Sequence, residues 1–171
     1  QGRRVLIVGV GREGRALADR LLSQGMTSAL FALDGQDGDA ARAWREDYGD
    51  RIALSVIDPA LEPIPDALAT ADIALLSPRI PKTGALYQAV VALRIPMSSG
   101  TAMFVADHAK TMVGVTGSKG KSTTSALIHH LLVGSGVDAA LAGNMGIPVW
   151  GIDPREFQVV ELSSYQCAGV D

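Results

Sequence analysis

Apolar residues fall along this chain in two rhythms. Short runs at Val5–Val8, Ala29–Leu33, Ile52–Ile57, Asp72–Leu76, Ile95–Ser98, Thr111–Thr116, Asp138–Ala142 and Phe157–Leu162 read as strands. Several of them are apolar without a break, as in strands buried on both faces. Between them the spacing becomes helical: Ala16, Leu17, Leu21 and Leu22 run up to Gly25, and further helices are predicted over Ala40–Tyr48, Gly84–Leu93 and from Lys121 to about Ser135. Ser99–Thr101 reads as a helix start, Met103–Lys110 as a bridge, and the proline-rich stretch Asp58–Pro65 as a loop with solvated acids. Strands alternating with helices predict an α/β fold with parallel sheets. The first five strands form one βα series, so a domain boundary is expected near Lys110.

Composition narrows the function. At 171 residues and 47% hydrophobic the chain can bury a real core. A net charge of -3 with scattered signs leaves no basic stripe, which argues against nucleic acid as a partner. No apolar run approaches the ~18 residues of a membrane span and no signal-peptide core opens the chain, so a cytoplasmic protein without membrane insertion is expected. The single Cys167 reads as a small hydrophobe. His108 reads as a surface or capping residue, and the adjacent His129 and His130 point to different helix faces, which is not metal-ligand spacing.

The strongest chemical signal is Val113–Thr124, VGVTGSKGKSTT. A β-branched strand runs into Gly117 and Gly120, and Lys121, Ser122 and Thr123 open a helix. Glycines let backbone N–H groups converge on phosphate oxygens, and the helix start adds unpaired N–H groups and a positive dipole end. Lys121 would reach the β- and γ-phosphates and the Ser122 hydroxyl would sit on Mg²⁺. The match is to a variant loop, since GxxxxGK[ST] places Gly where this chain has Val115. The competing reading is a glycine-rich turn with a solvated lysine. A cation in a first helical turn is unfavourable without an anion to hold, which weighs against that reading.

A second candidate is Gly9–Gly14, GVGREG, after the first strand, with Asp34 ending the second. A dinucleotide site, another nucleotide diphosphate and plain turn chemistry all fit this pattern. Ser77 and Arg79, at the carboxyl end of another strand, are candidates for a phosphate or sugar contact or for an ordinary turn. Glu161 ends the last strand, and a carboxylate beside a phosphate loop is placed to hold Mg²⁺.

Three segments together, Gly114–Thr123 (GVTGSKGKST), Gly143–Pro148 (GNMGIP) and Glu161–Gln166 (ELSSYQ), resemble the ATP-dependent Mur ligases of peptidoglycan synthesis. With Gly9–Gly14 and Ser77-Pro78 the resemblance covers essentially the whole chain, and the last segment resembles the glutamate-adding branch. It implies a Rossmann-like UDP-sugar domain over residues 1–110, followed at 111–171 by the first part of a P-loop ATPase α/β domain. Gly11, Arg12 and Glu13 would lie near the diphosphate, Asp34 toward uracil or ribose, and Ser77 and Asn144 on the UDP-sugar. ATP would be held by Gly117, Ser118, Lys119, Gly120, Lys121, Ser122 and Thr123, and Mg²⁺ by Ser122 and Glu161. Lys121, Asn144 and Glu161 would carry catalysis. The implied substrates are UDP-N-acetylmuramoyl-L-alanine, ATP and glutamate, joined through an acyl phosphate by a monomer. The family extends beyond these segments, so little catalysis is expected from the 171 residues themselves. A non-catalytic NAD(P)- or nucleotide-binding module is the alternative. The chain departs from the family pattern at Lys119, where Asn is common, and at Arg79, where Gly usually follows Ser-Pro. It also lacks acids over Ser99–Phe104, which with Lys119 is similar to a branch that adds L-glutamate.

Overall fold

Val5–Val8, apolar at every position, forms the middle of a five-stranded parallel sheet in the computed structural model, which describes residues 2–25, 27–144, 146–153 and 155–169. The chain divides into two compact units, Gln1–Gly100 and Thr101–Asp171.

The first unit runs β1 (Arg3–Val8), α1 (Arg12–Gln24), β2 (Thr27–Asp34), α2 (Asp39–Tyr48), β3 (Leu54–Val56), β4 (Ile73–Leu76), α3 (Ala85–Ala92) and β5 (Met97–Ser99). Strand order is β3-β2-β1-β4-β5, with every pair parallel. The chain starts centrally, works outward to β3, then crosses back to β4. That reversal opens a crevice at the carboxyl ends of β1 and β4, where open α/β sheets bind ligands. Leu6, Val8, Leu33, Ala74 and Val90 are buried in one cluster against the sheet. On α2, Trp44 is fully buried and its indole N–H donates to the Ile52 carbonyl at 3.2 Å, so it packs as its sequence setting suggests. The strand expected over Ile52–Ile57 is shorter, Leu54–Val56, with Ile52 and Ile57 buried on either side of it. No α-helix joins β3 to β4; prolines at 59, 63 and 65 precede a 3₁₀ turn over Asp66–Thr70 anchored by buried Leu68.

The second unit contains α4 (Gly100–His108), β6 (Met112–Val115), α5 (Lys121–Gly134), β7 (Ala139–Gly143), β8 (Phe157–Glu161) and α6 (Ser164–Cys167). Its parallel sheet has the order β6-β8-β7. Val115, Ala142, Val149, Val159 and Val160 are buried here. The division between units falls at Gly100 rather than near Lys110, because α4 packs with residues of the second unit. The Phe104 ring meets Trp150 edge-on at 5.4 Å, and Gln166 Nε2 donates to Thr101 Oγ1. His108 stacks on Phe104 at 4.1 Å with Nδ1 3.0 Å from the Phe104 carbonyl, and His129 Nε2 lies 3.1 Å from the Ala139 carbonyl. Both rings therefore serve packing. No described helix is long and apolar enough to cross a membrane.

Helix α1 approaches β1 through Gly14, where a Cβ would sit 2.2 Å from the Gly9 carbonyl oxygen, whereas Gly11 has open space around it. Gly14→Ala should therefore lower the unfolding free energy by about 3 kcal/mol and Gly11→Ala by no more than about 1 kcal/mol, measured as urea midpoints. Equal losses at the two positions would contradict this packing.

Candidate functional site

In the second unit β6 ends at Val115, and the chain reaches α5 through Gly117 at φ +147° and Gly120 at φ +78°. Thr116, Gly117, Ser118, Lys119 and Gly120 are exposed, as are Ser122 and Thr123 in the first turn of α5. Gly120 caps the helix with no side-chain hydrogen bond. Thr124 N–H already donates to the Gly120 carbonyl at 2.9 Å, so the N–H groups of residues 121–123 are the ones a helix start leaves open. Lys121 Nζ donates to the Gly117 carbonyl at 2.9 Å, which holds the ammonium at the mouth of the loop. Two of its three protons remain for an anion.

Three strand ends meet at this loop. Glu161 lies in register with Val115 on one side and Gly143 on the other. The residue is 3% exposed, yet no hydrogen bond or ion pair reaches its carboxylate from the described residues. No fully enclosed side-chain nitrogen or oxygen lacks a partner among those residues, so the Glu161 oxygens open at the strand-end surface. Burying an unpaired carboxylate is costly unless a cation completes it. Its oxygens and the exposed Ser122 hydroxyl are the hard donors Mg²⁺ takes, and so few protein ligands suit an ion that keeps waters and phosphates in its shell. The donor set fits the metal. Gly143 must be glycine, since a Cβ at φ +124° would lie 2.1 Å from the Glu161 carbonyl oxygen. Asn144 N–H donates to that same carbonyl at 2.9 Å, and its side chain is exposed at the same edge. Met145, in the turn expected over Gly143–Pro148, lies outside the described residues.

In the first unit, β1 leaves the sheet through Gly9 at φ +92°, whose N–H donates to the Leu33 carbonyl at 2.8 Å. Asp34 Oδ2 accepts from Val10 N–H at 2.9 Å and Oδ1 from Gln36 N–H at 3.1 Å. The carboxylate thus ties the turns after β1 and β2 together, and only its remaining lone pairs are left for a hydroxyl. The Ser77 Cβ and the Ile80 side chain both pack against Gly9. Ile80 N–H donates to the Ser77 carbonyl at 3.0 Å, closing a turn that carries Arg79 at the same strand-end rim. Helix α1 begins after Gly11 with no side-chain cap, with Arg12 exposed and Glu13 half-buried. Burial raises the Glu13 carboxyl above its ordinary value, and the nearby guanidinium groups of Arg12 and Arg79 pull it part of the way back.

The structure thus brings together Gly11, Arg12, Glu13, Ser77 and Arg79 in one unit, and the residue 117–123 loop, Asn144 and Glu161 in the other. Sequence reasoning had Thr101 in a helix start and Gln166 in the Glu161–Gln166 segment but did not foresee that both are buried and joined to each other. Ser163-x-x-Gln166 was the available signal, since this spacing forms a capping box at the start of α6.

No protein-family model matches the chain. Curated relatives do. A UDP-N-acetylmuramoyl-L-alanine--L-glutamate ligase of Salinispora tropica is 38% identical over 168 residues, which is 98% of this chain and 36% of that protein. Its Micromonospora counterpart is 36% identical over the same span. A UDP-N-acetylmuramoylalanine--D-glutamate ligase of Cereibacter sphaeroides is 36% identical over an alignment of 188 residues covering 97% of this chain and 37% of that protein. The chain therefore spans little more than a third of the length of these relatives. Among solved structures, the UDP-N-acetylmuramate:L-alanyl-gamma-D-glutamyl-meso-diaminopimelate ligase of Neisseria meningitides shares the fold at a TM-score of 0.59 and 20% identity, over 94% of this chain and 52% of that one. A murein peptide ligase of Psychrobacter arcticus does so at 0.57 and 15%, over 94% of this chain and 37% of that one.

The electrostatics of Glu13 can be measured. A carboxyl whose pKa is raised on folding contributes stability that is present below its ordinary pKa and lost as pH rises through the raised value. Glu13→Gln, which cannot ionise, should therefore melt higher than the parent at neutral pH. The gap should close as pH falls through the raised value toward the ordinary carboxylate range. A gap that does not change with pH would show that burial does not control this group.

Proposed function

We propose, on the premise that the chain belongs to the Mur ligase family, that it carries the UDP-sugar and ATP-loop portions of a ligase joining glutamate to UDP-N-acetylmuramoyl-L-alanine. The observation that supports this most directly is Glu161, a buried residue in register with Val115, from which the glycine loop departs, with carboxylate oxygens that open at the strand end and have no partner among the described residues. ATP, as its magnesium complex, would supply the phosphoryl group that activates the alanine carboxylate as an acyl phosphate for attack by the glutamate amine.

The chain's own residues divide that work. The open N–H groups of residues 117–123 hold the phosphates. Lys121, at the loop mouth, neutralises charge on the phosphoryl oxygens as transfer proceeds, the kind of preorganised stabilisation that carries most phosphoryl transfer. Glu161 and Ser122 hold the metal. Asn144, with its backbone fixed on Glu161, presents its side chain to the substrate carboxylate. In the first unit Gly11, Arg12 and Glu13 face the diphosphate, Ser77 contacts the sugar side, and Asp34 braces the turn on the uridine side. Of the two stereochemistries in the relatives' names, L-glutamate is favoured. Relatives named for it align over 168 residues covering 98% of the chain, whereas a D-glutamate relative aligns over 188 residues covering 97%. Cytoplasmic residence follows from these substrates. The 171 residues alone should bind nucleotide without turning it over, because the relatives carry most of their length elsewhere.

Phosphate release by the full-length protein should require UDP-N-acetylmuramoyl-L-alanine, Mg·ATP and glutamate together, with L-glutamate the better acceptor. Lys121→Ala should lower kcat at least about 100-fold. Release without the UDP-sugar would indicate a nucleotidase. Calorimetric binding of NADH but not UDP would favour a dinucleotide module instead.

A further inference from the structure

The carboxyl end of β8 is held at three consecutive backbone groups. The Glu161 carbonyl accepts from Asn144 N–H at 2.9 Å, and Leu162 N–H donates to the Val115 carbonyl at 2.8 Å. Ser163 N–H donates to Gln166 Oε1 at 2.8 Å. The first two are continuations of strand pairing and do not depend on side-chain identity. The third depends on one side chain that is itself buried, with Gln166 3% exposed, and fixed at its other end. Gln166 Nε2 donates to Thr101 Oγ1 at 3.4 Å, on a threonine 2% exposed in the first turn of α4. Gln166 N–H in turn donates to Ser163 Oγ at 3.3 Å.

From this clasp we infer that Gln166, braced by Thr101, is a positioning residue for the metal-binding carboxylate of Glu161, a role that rests on the metal reading of Glu161 itself. A primary amide is needed because one end must accept and the other donate, and the shorter Asn would not span the same gap. If the clasp is cut, the half-buried Ser163 N–H loses its acceptor, and of these three backbone bonds only the two of strand pairing, at Glu161 and Leu162, remain. Magnesium demands near-ideal octahedral geometry, so small rotations of a ligand-bearing strand end weaken its binding before they disturb the phosphate loop.

The test uses the full-length protein with ATP and Mn²⁺, read by electron paramagnetic resonance of the free ion, and with ATP in EDTA, read by calorimetry. Gln166→Ala should weaken Mn²⁺ binding to the ATP complex about tenfold while metal-free ATP affinity stays within about twofold. Thr101→Val should move in the same direction by less, and Thr101→Ser should restore the parent value. This pair also carries the test if Gln166→Ala fails to fold. Unchanged Mn²⁺ affinity in Gln166→Ala and Thr101→Val would overturn the inference, as would equal losses with and without metal. Glu161→Gln separates the two levels. Loss of metal dependence there but not in the clasp variants sinks only the clasp, whereas no loss in Glu161→Gln sinks the metal reading and the clasp with it.

Discussion

A parallel strand buried on both faces has to hand its chain to a helix through a turn in which backbone, not side chain, does the contacting. In both units that handover uses glycine at positive φ, Gly9 in the first and Gly117 and Gly120 in the second. Neither following helix carries a side-chain cap. A capped helix would have its first N–H groups satisfied by its cap; in α5 those of residues 121–123 have no partner among the described residues, at the carboxyl edge of the sheet. Everything else at the two edges is arranged around these helix starts. Gly14 and Gly143 let backbone approach where no Cβ fits, and Asp34 and the Glu161 carbonyl anchor the turns that border them.

The second edge concentrates charge that does not favour folding. Lys121 sits at the positive end of a helix dipole, and Glu161 is a buried residue whose carboxylate oxygens open at the strand-end surface without a partner among the described residues. Each is costly alone, and the Gly117 carbonyl offsets only part of the first. Val149, Trp150, Val159 and Val160 supply buried apolar packing in the same unit. Groups kept at such a cost against the grain of local electrostatics mark functional sites more often than structural ones.

The strands were legible in the sequence because parallel-sheet strands buried on both faces are largely apolar; Val5–Val8 is apolar throughout, and in Phe157–Glu161 only Gln158 and Glu161 interrupt the run. The glycine loops were legible because few other residues tolerate their backbone. What escaped was tertiary. Helix α4 is apolar on every side from Ala102 to Ala106, so no face points to a partner, and only Phe104 against Trp150 and Thr101 against Gln166 assign it to the second unit. The four-residue α6 is too short for periodicity to show. Asp34 illustrates the middle case. Spacing placed it correctly at the end of β2, but spacing cannot say that both of its oxygens are engaged by the amides of Val10 and Gln36.

The two glycine turns look alike yet differ in the groups around them, and the difference bears on what each can do. At Gly9–Gly14 the neighbouring charges are Arg12, Arg79 and a half-buried Glu13, with Asp34 already committed to backbone. On the proposed reading this set would hold a diphosphate, but it has no lysine at the helix start and, among the described residues, no strand-end carboxylate left for a metal. At residues 117–123 both are present, and the metal carboxylate is level with the strand that feeds the loop. Phosphoryl transfer needs charge neutralised on the moving group itself, whereas recognition of a nucleoside diphosphate needs only donors and a shaped turn. On the proposed reading the same backbone device would serve retention in one unit and transfer in the other, and the side chains beside it would decide which.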